Sequence, residues 1–591
     1  MKKKALLFIA ICTSLLSFSQ SSELVFLKLG ISSGGNSYNT DVYFNPNATR
    51  GFDLGYDAQF VFEIPSFAIY SYLVDGNLTD PYALQAVNTL DLADITIPIG
   101  ITASQGQTIT FSLLVNQLPE TTEIYLDDLV ADTSIDIKAT NYILTLDSPQ
   151  SGAGRFYLRV SDSTLITNYV FDGTWSPNDP NGVATSNDTI TIESGNATIN
   201  SNTTCNSLIV NPGAGLIVNT GINLEITNGV TLESTSTTYS SLILDGTVGG
   251  TINYERHVNI NGTGSTGSND LVSAPLSGQA FSDFAAANPN LFDNGAGTLF
   301  LFGPFDKSTG DFVTYANTET ATLGGDGVGY RAATDDNGTL TFTGTAESGT
   351  VANDIQNSGP IRQEWNLVGN PYPSYMNVQT FLTHDVGGTT NLALFEPASA
   401  AIYGYDGSAT NGWTIYNLAT TTPSTVMAPG QGFFVSANAA NVGPYDLEFS
   451  PDIRSTGTSD DFIVGRNAQL TYMVLDINTT NKAFSTDFYF NPNASQGFDL
   501  GYDAAVWGDG APEFAVYSHL VQDNTGVAMA LQALNGSDLA DVTIPLGVNA
   551  NQGEQLTFSI SDSTLPASVE VYLEDTVANT LTLLNDSDYV I

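Results

Sequence analysis

The chain has 591 residues, with 15 Lys and Arg against 61 Asp and Glu, and a formal net charge of −46 at pH 7. So large an acidic excess repels phosphodiester backbones and anionic lipid, which excludes a basic-patch binder of nucleic acid or membrane surface. It also leaves carboxylates free for divalent cations.

The first residues read as a secretory signal over 1–19. Lys2, Lys3 and Lys4 form a basic start, residues 5–16 an apolar stretch, and Ser17-Phe18-Ser19 a small-residue cleavage site before Gln20. The apolar run is too short and wrongly flanked for a transmembrane helix, and no later segment is long and apolar enough. Cys12 follows Ile11, where a lipobox needs Gly, Ala or Ser. The expected location is therefore secreted or at the outer cell surface. With the leader removed, Cys205 is the only cysteine. No intramolecular disulfide can form, and core packing must hold the fold.

Helical patterning is sparse, limited to turns at 282–287 and 376–383. Short runs rich in Thr, Val, Ile, Tyr and Phe, broken by Asn, Asp, Gly and Pro every few residues, predict an all-β multidomain protein. Residues 20–162 read as an antiparallel β-sandwich of jelly-roll or immunoglobulin-like layout. Its strands are expected near 24–29, 41–44, 67–73, 82–86, 95–97, 107–113, 123–127 and 156–160. In 163–250 apolar triplets recur, such as Leu208-Ile209-Val210, Leu216-Ile217-Val218 and Leu242-Ile243-Leu244, with polar turns between. They predict a short parallel β-helix of two to three turns with Cys205 facing inward. Residues 251–455 form a β-rich module with aromatic anchors, and 456–591 a second sandwich.

That second sandwich repeats the first. Thr40 to Ala58 reads TDVYFNPNATRGFDLGYDA and Thr486 to Ala504 reads TDFYFNPNASQGFDLGYDA, identical at sixteen of nineteen positions. Tyr142 aligns with Tyr589, so the alternating run Arg155-Phe156-Tyr157-Leu158-Arg159-Val160 has no counterpart before Ile591. A buried strand edge left unpaired is costly, so Ile591 is expected to be the end of a fragment.

The motifs weigh against catalysis. Gly30-Ile31-Ser32-Ser33-Gly34 has the spacing of a nucleophile elbow but lies in polar loop sequence, and the second copy lacks it. His257, His384 and His519 have neither zinc-ligand spacing nor a nearby cysteine. Glu225 and Glu233 sit among ordinary solvent-facing positions, not across a sugar-sized cleft. Gly324 to Gly329 lacks the Lys and helix of a phosphate cradle. No catalytic residues are assigned, and the chain is read as no enzyme.

Two sets of residues remain as binding candidates. Asp53 and Asp57, with Asp499 and Asp503 in the second copy, stand four apart in the Gly-punctuated loop Gly-Phe-Asp-Leu-Gly-Tyr-Asp-Ala. Clustered loop carboxylates suit calcium. The alternative is that they cap a turn while Phe52 and Tyr56 plug the core. Tyr372, Tyr403, Tyr405 and Trp413 are candidates for stacking on sugar rings, the alternative being core packing.

The stretches WNLVGNPYPS from Trp365, IYGYDG from Ile402, NGW to Trp413 and APGQGFFV from Ala428 resemble a module of large secreted Bacteroidetes proteins. Many of these are exported by the type IX secretion system. The GFDLGYDA segments, with IPLG and VYLED after them, resemble a β-sandwich that often lies near the C-terminal sorting domain of such cargo. The resemblance implies an adhesin-like or substrate-attachment protein whose partners are extracellular glycans or surfaces and, through a sorting domain absent here, the export machinery. Two alternatives stand beside it. One is an accessory region of an exported polysaccharide-active enzyme, and the other a structural surface or filament component.

Overall fold

The computed structural model describes residues 25–591 apart from 61–62, 77, 263–268, 406–412, 441–444, 461–468 and 509. The leader expected over 1–19 lies outside the described residues, as do Asp406, Gly407 and Gly412 of the quoted motifs. Strands take up 46% of the chain and helix 7%, which makes the protein all-β. The two expected helical turns are present as Phe281–Ala287 and Val378–Thr383. The described residues form two compact units, divided between 167 and 168.

In the first unit the eight expected strands all form, joined by Ala58–Gln59, Thr133–Asp136 and Tyr142–Thr145. They make one continuous sheet that curls over its own core. Asn36–Phe44 and Tyr82–Val87 pair in parallel, Asp41 opposite Leu84. Alternation supplies the core: Leu27, Leu29 and Ile31 on one strand meet Ile95, Ile97, Ile99 and Ile101 on another, all buried. The twelve-residue strand Gln150–Ser161 lies between Asp94–Ala103 and Glu123–Asp128 and pairs with both.

The second unit opens with the β-solenoid. Tyr169, Ile190, Leu208, Val230 and Ile252 stack in register along one parallel sheet. Two further faces stack Ala197, Leu216 and Leu242, and Thr203 with Leu224. The result is about four turns, more than the two to three expected. The additional rungs are Asn168–Asp172 and Ile252–His257, whose sequence texture differs from the triplets between them. Cys205 is fully buried inside, and desolvation pushes its thiol up to about 12. The last parallel edge is covered by Thr339–Gly344, paired antiparallel with Ile252–His257, so the solenoid exposes no open ladder there.

In the aromatic module, Trp365–Gly369, Gly432–Ser436, Ile402–Gly404 and Thr414–Tyr416 form a four-stranded sheet. Period-two alternation divides its side chains between two cores. Val368, Ile402, Phe433 and Val435 join one cluster, while Trp365, Leu367, Tyr403 and Phe434 join another that continues into the second sandwich. The second sandwich repeats the first from Thr471–Asn478 onward, including the parallel pair Ala483–Phe490 with Met529–Leu534.

Candidate functional site

The repeated loop has the same construction in both copies. The amides of Tyr56 and Asp57 donate to the Asp53 carbonyl at 3.1 and 3.0 Å, and those of Tyr502 and Asp503 to Asp499 at 3.0 and 3.1 Å. Gly55 at φ +89° and Gly501 at φ +78° supply the left-handed residue that closes the turn. The Asp57 carboxylate accepts from the amides of Asp53 (2.6 Å) and Ala86 (2.8 Å), and Asp503 from those of Asp499 (2.7 Å) and Ala533 (2.8 Å). Asp53 accepts from the Thr49 amide and hydroxyl, and Asp499 from those of Ser495.

The loop carboxylates are thus spent on N–H and O–H donors, the chemistry of a turn cap and not of a cation cage. Among the described residues no group of three or more His, Cys, Asp or Glu is placed to hold a metal. Asp53, Asp57, Asp499 and Asp503 are therefore corrected from calcium ligands to loop caps.

What differs between the copies is what lies over the loop. In the second copy the module packs against its second half. The Leu418 amide donates to the Gly501 carbonyl (2.8 Å), the Asn417 side-chain amide to Tyr502 (2.9 Å), and the Tyr403 hydroxyl to Ala505 (2.9 Å). A Cβ at Gly501 would lie 2.3 Å from the Leu392 side chain, so glycine serves both the turn and the contact. Trp507 stacks on Trp413 at 4.4 Å and approaches Trp365 at 5.8 Å and Phe434 at 6.0 Å. Ala504 is fully buried and Tyr502 half-buried.

In the first copy the loop is more open: Phe52 is 55% exposed, Leu54 88% and Tyr56 38%, against 39% for Phe498, 41% for Leu500 and a half-buried Tyr502. The expectation that Phe52 and Tyr56 plug the core is overturned: the caps are present, but they hold the rings outward. Phe52 leans on Tyr82 at 6.3 Å. The following strand Ala58–Gln59 is exposed, and the Gln59 amide donates to the Tyr82 hydroxyl at 3.0 Å, where the second copy has buried Ala505.

The four aromatic candidates do not form a sugar platform. Tyr372 and Tyr403 are fully buried. The Tyr372 hydroxyl reaches the carbonyls of Gly349 (2.7 Å) and Phe449 (2.5 Å), and burial raises its ionisation well above the ordinary tyrosine range. Tyr403 packs edge-on against Trp365 at 4.7 Å. Tyr405 and Trp413, half-buried, pair at 5.5 Å and line the contact with Trp507. Stacking on a glycan needs an open ring face, so Tyr372 and Tyr403 are corrected to core residues and Tyr405 and Trp413 to an internal interface.

The structure nevertheless brings Tyr403, Tyr405, Trp413 and Asp503 into one region. Sequence reading missed Trp365 and Trp507, and missed Phe52, Leu54 and Tyr56 as exposed groups. The available signal was three large apolar residues repeated inside a polar, glycine-rich loop.

Burial has an electrostatic consequence at Asp503, whose pKa desolvation raises to about 7 although two backbone amides oppose it. A folded-state value above the unfolded 3.8 favours the folded state fully below about 3.8, and that contribution is lost as pH rises through about 7. The melting temperature of the second unit is expected to fall between pH 5 and pH 8 by an amount that Asp503→Asn reduces. An identical fall in both proteins would contradict the assignment.

A family model described as "Domain of unknown function (DUF8693)" matches residues 164–591. That span takes in the solenoid, the aromatic module and the second sandwich. No curated protein and no solved structure matches the chain.

Proposed function

The chain belongs to the DUF8693 family, and from that premise we propose that it is a non-catalytic, adhesin-like display protein. In this reading the family body of solenoid, module and docked second sandwich acts as a stiff support. The first sandwich, outside the family match, is the recognition head. One observation carries the proposal: the second half of the octapeptide, 501–504, is packed under the module in one copy, while its counterpart 55–58 is open in the other.

The open loop suits a neutral extracellular glycan. Phe52 and Tyr56 offer ring faces, and the Asp53 and Asp57 caps preorganise the loop so that little ordering entropy remains to be lost on binding. A net charge of −46 disfavours anionic polysaccharides. Modest single-site affinity would combine across many displayed chains through effective concentration. Secretion through the type IX route, from the leader and the Bacteroidetes resemblance, belongs to the same proposal. Among the described residues no helix is long and apolar enough to cross a membrane.

Electrophoresis of the mature chain in native gels containing laminarin, xylan or starch tests the reading. The wild type is expected to be retarded in at least one gel, and the Phe52→Ala/Tyr56→Ala variant to run as in plain gel. Unretarded migration of the wild type in all three would sink the proposal.

A further inference from the structure

In a chain where 15 Lys and Arg stand against 61 Asp and Glu, an arginine without an acid needs a reason. Most described arginines have a partner. Arg50 pairs with Asp91, Arg155 with Asp128, Arg159 with Asp127 and Arg454 with Asp245, while Arg256 is bonded internally to Tyr239 and Gln431. Arg331 and Arg362 are the exceptions. Among the described residues neither guanidinium makes a hydrogen bond or an ion pair.

Each is held over an aromatic ring instead. Arg331 lies 4.8 Å above Phe312 and Arg362 5.1 Å above Trp507. Both rings belong to one cluster, packing edge-on against Phe434 at 6.3 and 6.0 Å. One hairpin meets both arginines: Arg331 sits opposite Gly303 in the strand Phe302–Asp306, and a Cβ at Gly310 in the turn would lie 2.3 Å from Ile361. Phe312, Trp507 and both arginines are half-buried and Ile361 is 49% exposed, so the cluster reaches the surface here.

Arg362 is also held in a strained conformation. Its φ is +49°, and the other non-glycine residues at positive φ are Asp132, Asn337, Asp523 and Asn579, the types that tolerate it. Lys307 fixes this turn. Its ammonium donates to the carbonyls of Gln363 (2.6 Å), Trp365 (2.7 Å) and Arg362 (3.4 Å), and burial lowers its pKa to about 8. Desolvation lowers Arg331 too, and Asp311 nearby acts in the opposite direction without pairing with it.

We propose that Arg331 and Arg362 form an anion-recognition site that takes the carboxylate of a uronic acid residue in an extracellular glycan. A guanidinium preset over a ring keeps its N–H fork free for a planar oxyanion. The half-buried rings and Ile361 offer apolar ground to the C–H face of the sugar. A net charge of −46 keeps out densely charged polyanions, so the fitting glycan carries its carboxylates sparsely. A uronate fixes its carboxylate on the ring, whereas an acidic peptide must order long side chains to present one. The site uses none of the residues of the open loop in the first sandwich.

The probes are a xylo-oligosaccharide carrying one glucuronic acid, its neutral parent of equal length and a tetraglutamate peptide. Each is titrated calorimetrically into the whole chain. One saturable site is expected for the uronate, weakened by added salt. The Arg331→Gln/Arg362→Gln variant should bind it about tenfold or more weakly. Phe52→Ala/Tyr56→Ala should bind it as the wild type does, so this site and the loop fail separately. Arg362→Gly separates recognition from support. It relieves the left-handed strain, so it is expected to melt no lower than the wild type while losing uronate affinity about tenfold or more. Absence of saturable uronate binding, equal binding of the neutral parent or tighter binding of the peptide would overturn the proposal. So would an Arg362→Gly chain that melts lower and binds normally.

Discussion

Arg256→Ala is expected to destabilise the second unit by about 3–5 kcal/mol, read from denaturant midpoints at unchanged slope. Arg256 is fully buried on the last solenoid strand. Its guanidinium donates to the Tyr239 hydroxyl (2.5 Å), the His257 carbonyl (2.7 Å) and the Gln431 side-chain carbonyl (2.7 Å), and lies 4.3 Å over the Tyr239 ring. Gln431 belongs to the module and donates onward to the carbonyls of Leu271 and Gly432. One side chain therefore ties solenoid to module.

It also offsets a buried acid. Burial raises the Asp270 carboxyl, and the nearby Arg256 charge acts in the opposite direction. Removing the cation leaves an acid, a phenol and an amide in low dielectric without their partner, which costs more than the net worth of the bonds. An Arg256→Met protein keeps much of the volume but not the charge and should also be clearly destabilised. A loss under about 1 kcal/mol in both variants would show that the network is solvated, contrary to the packing described here.

Trp365→Ala is expected to cost about 3–5 kcal/mol as well, by the different route of cavity formation. Trp365 is fully buried and meets Tyr403 and Trp507 from opposite sides of the junction between module and second sandwich. The cluster spans both, from Leu367 and Phe434 to Tyr472, Tyr489 and Leu531. Its loss should therefore loosen the docking of residues 470–591, visible as limited proteolysis before global unfolding. Its indole N–H has no hydrogen-bond acceptor among the described residues. Trp365→Phe, which keeps an aromatic ring and removes only that group and some volume, should cost less than the alanine variant. Equal sensitivity to protease in wild type and Trp365→Ala would separate this cluster from the docking.

Much of the architecture was legible because its signals are local. Alternation at Leu27, Leu29 and Ile31 marks a strand whatever surrounds it, and the GFDLGYDA repeat is visible without a partner. Solenoid turns were undercounted because Tyr169 and Ile252 begin rungs whose flanks read as sandwich and module. Exposure was the least legible quantity. Tyr403 is buried by Trp365 and by the chain about a hundred residues later, and nothing within WNLVGNPYPS or IYGYDG announces that contact. The loop aspartates illustrate the same limit. Their capping role follows from spacing, but whether Ala58 or Ala504 faces solvent depends on a module that packs against only the second copy.

The central claim is that one octapeptide is recognition surface in the first sandwich and structural contact in the second. The most direct measurement compares Tyr56→Ala with Tyr502→Ala, matched positions in the two copies, for melting temperature and for retardation in the polysaccharide gel that holds the wild type. The account predicts that Tyr56→Ala loses retardation at unchanged melting temperature, while Tyr502→Ala, which opens the packed junction, melts lower and keeps retardation. The same response from both variants, or the reverse assignment, would contradict it.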